Sequence, residues 1–260
     1  MLPIRRSPAG YPMAPSQPEW DALTLEDRAA VVAALPDEVT DAEMAPPEGD
    51  RHFKAKIGPL GALRGFFARQ GRRVYLAAEL PIYYPSEPRF APDLLAVLEV
   101  DDHDRDKWVV SQEGKGLDWV MEVHVGGDRK KDAERNVARY ARLGIGEYFL
   151  YDRARGQLHA HRLAAPDANS YTPIVPQHGR YESRVLGLDV QVERDRLRFH
   201  AGTALLLESE ELIARLETLL QDTQRRAEEE SRRAEEESRR AEAAEAELAQ
   251  LRLELERLKK

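Results

Sequence analysis

Between Pro92 and Asp152 the chain alternates apolar, charged and apolar stretches in an order that leaves few folds open. An apolar run after Pro92-Asp93 (PDLLAVLEV) is followed, past a polar segment, by a second run interrupted by one acid, Glu122 (DWVMEVHV). A charged stretch then reads as a helix (GDRKKDAERNVARYARLG), and a third apolar run (EYFLYD) comes after it. Strand, helix and strand in that order, beside hairpins, point to a mixed α/β sheet. The same stretch sets two carboxylates, Asp93 and Glu122, on neighbouring strands just ahead of a basic helix. Those are the parts that a divalent-metal phosphodiesterase needs.

Length and composition set the outer bounds. A chain of 260 residues suits a core of roughly 150–200 residues plus an appendage. There is no cysteine, which excludes disulfides, thiolate metal sites and cysteine nucleophiles, and fits a reducing compartment. No apolar run approaches the roughly 20 residues that span a bilayer. The two arginines near the N-terminus are not followed by an apolar core, so the start does not read as a secretory signal. The cytoplasm is the expected location.

The net charge is −8. From Ala204 onward there are 11 basic and 16 acidic side chains, which leaves 28 basic and 31 acidic in the body. A binder that holds nucleic acid by bulk positive charge would look different. Any DNA contact must therefore be local, with a metal ion supplying positive charge that the chain lacks.

Residues 1–17 are rich in proline and are expected to be unstructured. Thr24, with Asp27 three residues on, predicts a capped helix that Pro36 ends. Residues 37–51 read as an acidic loop. His52 to Gln70 reads as a helix with Ile57, Leu60, Leu63, Phe66 and Phe67 on one side, which Gly58-Pro59 kinks or delays. Strands are expected at 73–77, 82–84, 93–100 and 119–125, with a surface loop over 101–116. Asp128 is the expected N-cap of a helix that Gly144 closes. A hairpin follows at 147–163, then short strands near 171–175, 181–186 and 190–193. The expected division is thus a disordered 1–17, a body over 18–203 and a tail over 204–260.

In that tail RRAEEES occurs at 225–231 and again at 232–238. A heptad register with a at Ile213 runs through Leu220, Ala227, Ala234, Ala241, Leu248 and Leu255. Its d positions run from Leu216 through Thr223, Glu230, Glu237 and Ala244 to Leu251 and Leu258. This predicts a coiled coil with leucine-rich ends and a weak middle, through which copies of the chain associate. A solvated single helix held by Glu–Arg pairs is the other reading.

Asp93 and Glu122 carry the chemistry if they meet. Mg²⁺ is held by one or two carboxylates plus waters and substrate oxygens, and it activates water while stabilising phosphoryl charge. Glu122 stands among Val120, Met121, Val123 and Val125, so its charge requires a partner. The plainer readings are a loop aspartate and half of a core ion pair. The histidines lack metal-ligand spacing, and there is no Walker A, GxGxxG or GxSxG motif.

Pro92-Asp93, Glu122-Val123-His124, a helix with Asp132 and Tyr140, and the run Gly144 to Asp152 form a distinctive series. It resembles the Uma-two family of restriction endonucleases, within the PD-(D/E)XK nuclease superfamily, over roughly Leu23 to Leu197. The resemblance implies a central mixed sheet flanked by helices, with Asp93 and Glu122 as ligands of Mg²⁺ or Mn²⁺ and DNA as substrate. It also implies a lysine two residues after the Glu, where His124 stands here, or four before the Tyr, where Asn136 stands. Lys131 is then the first choice for the missing ammonium, with His124 as a proton carrier; a packed histidine and a solvated lysine are the plainer alternatives. His52 reads as a neighbour of a helix cap that relatives place near the cleft, and Tyr140 as a packing residue with a hydroxyl partner. A catalytically inactive nuclease-fold module acting in protein association is the second function that fits.

Overall fold

The structure, a computed structural model, describes residues 4–38, 49–125 and 129–258, with side chains there except those of 129–134, 254, 256 and 258. The body runs to Glu208, and Ser209–Lys260 is a second unit. The expected boundary at 203/204 lies slightly earlier because Ala204–Leu205 adds an edge strand to the body.

The first residues were expected to lack structure, yet two short strands, β1 (Arg5–Arg6) and β2 (Pro12–Met13), pair antiparallel there. What orders them is a small apolar cluster in which Ala14 and Trp20 pack with Val31, Leu35, Tyr83 and Val109. Trp20 lies on α1 (Gln17–Asp21), which starts with a capping box between Ser16 and Glu19. Helix α2 (Leu25–Ala34) is capped as the sequence predicts, with the Thr24 hydroxyl accepting from the Asp27 N–H at 3.1 Å.

Helix α3 (Gly49–Gln70) contains Pro59 and buries Leu60, Leu63 and Phe67, whereas Ile57 is exposed. The strands β3 (Val74–Ala77), β4 (Ile82–Tyr83) and β5 (Leu94–Leu98) follow. The expected surface loop between β5 and the next long strand instead holds β6 (Trp108–Val109) and α4 (Val110–Glu113). Trp108 has no exposed surface, and its indole donates to the Lys115 carbonyl at 2.8 Å. One aromatic residue thus draws a polar segment onto the core.

Next come β7 (Trp119–His124), α5 (Arg129–Arg142), β8 (Glu147–Asp152) and β9 (Gln157–Leu163). Gly144 closes α5 with φ +73°, a backbone conformation that glycine takes at little cost. The expected N-cap, Asp128, lies outside the described residues. The strands β10 (Tyr171–Pro173), β11 (Tyr181–Ser183), β12 (Leu188–Glu193), β13 (Arg196–Ala201) and β14 (Ala204–Leu205) complete the body, and α6 (Ser209–Leu258) is the long tail helix.

The central sheet has six strands in the order β10-β9-β8-β7-β5-β3, and β7–β8 is its one parallel pair, bridged by α5. It is mixed, as expected. Period-two alternation splits β7 between two cores. Trp119, Met121 and Val123 face α3 and the four-stranded sheet β11-β12-β13-β14, while Val120 faces the side on which Tyr140 of α5 packs. The second side also takes Leu95 and Val97 of β5 and Tyr148 and Leu150 of β8.

Phe149 has no exposed surface and sits in the first of these cores. Phe149→Ala should destabilise the chain by about 3–5 kcal/mol in urea unfolding, whereas the change at a surface position should stay within about 0.5 kcal/mol. Val175, 71% exposed, is the control; equal effects of Phe149→Ala and Val175→Ala would contradict this core.

Candidate active site

The ends of three neighbouring strands bring three carboxylates into one row. The antiparallel pair β3–β5 ends with Ala77 facing Leu95, and Glu79 lies just past that end with φ +54°, outside the ladder. In β5–β7, Leu94 faces Met121, which sets Asp93 opposite Glu122. Side chains opposite one another in a sheet share a face, so Asp93 and Glu122 do, and Glu79 joins them as a third acid through Lys56, which reaches both it and Asp93.

Hydrogen bonds beyond the ladders fix this row. The Glu79 N–H donates to the Pro92 carbonyl at 3.0 Å. The Asp93 N–H donates to Glu122 Oε2 at 3.2 Å, and the Val123 N–H donates to Asp93 Oδ2 at 2.7 Å. This reciprocal pair locks the two predicted carboxylates together. Glu122 Oε1 accepts from the Tyr140 hydroxyl at 2.5 Å, so the last turns of α5 are tied to the same group. Tyr140 is buried edge-on against Tyr148, at 5.1 Å between ring centroids.

The N-terminal part of α3 approaches from the other direction. His52 Nε2 lies 3.0 Å from Asp93 Oδ1. Lys56 Nζ lies 3.6 Å from that same oxygen and 2.5 Å from Glu79 Oε1. The Lys56 side chain is only 7% exposed and that of Glu79 is 61% exposed, so the row is buried at its centre and opens to solvent past Glu79.

The electrostatics follow from this crowding. Burial pushes the Glu122 carboxyl well above the usual carboxylate range, and the adjacent Asp93 charge pushes it further. Burial would also raise Asp93, but the His52 hydrogen bond and charge, the Val123 N–H and the Lys56 ammonium outweigh it and hold its carboxyl below the ordinary value. Tyr140 is raised well above the phenol range by burial and by the Glu122 charge.

As a donor set the row is rich in hard oxygen atoms. His52, Glu79 and Asp93 could hold a metal ion, since one ligand atom from each lies within 4.8 Å of the others. Glu122 adjoins them through Asp93. Carboxylates suit Mg²⁺ and Mn²⁺, and an imidazole among them tilts the set toward Mn²⁺. These residues therefore fit the divalent ion that the sequence suggests.

Of the residues singled out from sequence, Asp93 and Glu122 are brought together. His124 is buried at the end of β7, two residues past Glu122 on the same strand face, and pairs in register with Asp152. Lys131 belongs to α5, but its side chain lies outside the described residues. Glu79 and Lys56 were missed, and His52 was read as a cap neighbour. A signal for the last two did exist. His52, Lys56, Leu60, Leu63 and Phe67 fall at helical spacing on one stripe, so a lysine stands where the pattern calls for an apolar residue.

A model of the Uma2 family, described as "Putative restriction endonuclease", matches residues 22–195. None of the curated proteins matches the chain. Among solved structures it is similar to a protein from Anabaena variabilis described as "a putative nuclease belonging to DUF820". The two are 12% identical with a TM-score of 0.44, over 60% of this chain and 89% of that one.

Glu122 keeps its proton to higher pH in the folded than in the unfolded chain. Its contribution to stability is therefore present below its unfolded pKa and is lost as pH rises toward the folded value. Glu122→Gln mimics the protonated acid, so in metal-free protein it should be the more stable form at pH 8, by about 2–4 °C in Tm for each kcal/mol of relieved repulsion. The difference should vanish below the ordinary glutamate value of 4.5. Thermal unfolding in chelator across this range checks it; a wild type more stable than Glu122→Gln at pH 8 would contradict the assignment.

Proposed function

Because this chain belongs to the Uma2 family, we propose that it is a metal-dependent endonuclease that hydrolyses phosphodiester bonds in DNA. The observation that carries this reading is the locked pair of Asp93 and Glu122, joined by each other's backbone N–H environment at 3.2 and 2.7 Å. Two carboxylates so close repel, and a cation between them relieves the repulsion. Asp93 and Glu122 would hold one divalent ion, Mg²⁺ or Mn²⁺, with the Val123 carbonyl beside them. When bound, such an ion lowers the pKa of water and stabilises charge on the phosphoryl oxygens.

The chain's own residues do the rest. The Val123 N–H and His52 orient the Asp93 carboxylate, and Tyr140 orients that of Glu122, so neither has to be reorganised when substrate arrives. The exposed Glu79 marks the side from which a phosphate can enter. His124 and Lys131 remain proposals for proton carriage and for phosphate contact. No helix among the described residues is long and apolar enough to cross a membrane, which agrees with a substrate met in aqueous solution.

We propose further that α6 joins copies of the chain, so that two centres meet one duplex. Leucines of the predicted seam are exposed at both ends of this helix, with Leu216 at 55%, Leu220 at 60%, Leu251 at 50% and Leu255 at 56%. An exposed apolar seam over a helix of 50 residues is what a coiled coil buries.

Supercoiled DNA with Mg²⁺ or Mn²⁺ tests the first proposal. Wild type should nick it, and Asp93→Ala and Glu122→Ala should each lower the rate by about 100-fold or more. Equal nicking by wild type and Glu122→Ala would reject the centre, and no nicking by any of them would leave a nuclease-fold module without catalysis. For the second proposal, light scattering should give a mass above one chain for wild type, and Leu216→Asp with Leu251→Asp should return it to one chain.

A further inference from the structure

Lys56 has a position that the electrostatics of the row make meaningful. A lysine side chain 7% exposed is unusual, because ammonium groups are rarely buried without partners. Its partners here are two members of one carboxylate row, Glu79 at 2.5 Å and Asp93 at 3.6 Å. Asp93 Oδ1 is shared between Lys56 and His52, which stand one helical turn apart on α3. Glu79 takes up its place with φ +54°, a left-handed backbone conformation that side chains with a Cβ rarely adopt. Buried ion pairs are poor stabilisers that apolar side chains often replace without loss. Stability is therefore a weak reason for a helix to break its apolar stripe with Lys56 and for the chain to strain Glu79 to meet it.

We propose that Lys56 is the fixed cation of this centre. Its ammonium neutralises the Glu79–Asp93 half of the row and stands where an entering phosphate passes, leaving the Asp93–Glu122 half to a single divalent ion. For its substrate this rests on the nuclease reading above; for its charge it rests on the row alone. The role is that of an ammonium that steadies negative charge on a phosphate, supplied from α3 and not from the strand position of His124 or the helix position of Asn136. It also accounts for the closeness of Glu79 and Asp93, both of which the ammonium reaches.

Counting bound Mn²⁺ on the full chain, by its electron paramagnetic resonance signal during titration, separates this from a structural salt bridge. Wild type should bind one ion per chain. Lys56→Met, which fills the same space without charge, should bind two, because removing the ammonium frees the Glu79–Asp93 half. Lys56→Arg should return the count to one, and Lys56→Gln serves in place of the methionine variant if that one does not fold. With DNA and Mn²⁺, single-turnover nicking by Lys56→Met should fall by about 100-fold, as for loss of a preorganised charge. A count of ions that stays the same in wild type, Lys56→Met and Lys56→Gln overturns the proposal. If the count rises from one to two while neither protein nicks DNA, the fixed cation stands and the nuclease reading fails.

Discussion

Three like charges side by side on adjacent strands are an unstable arrangement, and the rest of the body is organised around making it tenable. Asp93 and Glu122 face each other at the ends of β5 and β7, and Glu79 stands beside Asp93 just past the end of β3. Carboxylates directly opposite one another repel, and burial strengthens the repulsion because water no longer screens it. The structure answers with donors and cations from both sides. Helix α3 brings His52 and Lys56 to the Asp93–Glu79 side, and α5 brings the Tyr140 hydroxyl to Glu122. The result is graded: Asp93 is held ionised, while Glu122 is pushed toward its protonated form.

That grading explains why two helices on different faces of the sheet are both required. The C-terminal part of α3 is ordinary packing, with Leu60, Leu63 and Phe67 in the core shared with Met121 and Phe149. Its N-terminal part carries the charges. Helix α5 is split likewise, with Val137, and Leu143 just past its end, packed against the opposite core and the Tyr140 hydroxyl on Glu122. Each helix is thus anchored by apolar contacts at one place and delivers a polar group at another. The apolar anchoring supplies the rigidity that a polar group needs to hold a geometry.

Much of this was legible in the sequence, and the remainder was hidden for identifiable reasons. The strand, helix and strand from Leu94 to Asp152 carry hydrophobic periods strong enough to read directly, and Thr24 and Gly144 mark helix ends as their chemistry dictates. Asp93 and Glu122 stood out because each interrupts or opens an apolar run. Glu79 also breaks an apolar run (VYLAAELPIYY), but it falls between the expected strands at 73–77 and 82–84, and it reaches the site only through the long-range pairing of β3 with β5, which local pattern does not encode. Lys56 was hidden differently. Its place on the apolar stripe of α3 was visible, but a lysine near a helix start, with Arg51 and Lys54 close by, also reads as a solvated charge, and only the partner across the sheet decides between the two. The segment around Trp108 was misread because two buried residues sit inside a run of charges. The order of residues 4–17 depends in the same way on a distant apolar cluster, centred on Trp20 and Tyr83.

The charge of the whole chain and the charge of the site point in opposite directions, and the site is the more informative. A net charge of −8 opposes approach to a polyanion at long range. That opposition is screened beyond about 8–10 Å at ordinary ionic strength, whereas contacts inside a partly buried row are screened far less. What would matter to a phosphate at the opening beside Glu79, on the proposed reading, is therefore the local balance of three carboxylates against an ammonium, an imidazole and the proposed divalent ion. An acidic row without added cations would repel such a substrate; with Lys56 in place and the proposed ion on Asp93 and Glu122, the same row would become a place where negative charge is stabilised. On the proposed reading, the acidity of the centre is the means by which it would collect the positive charge that the chain as a whole lacks.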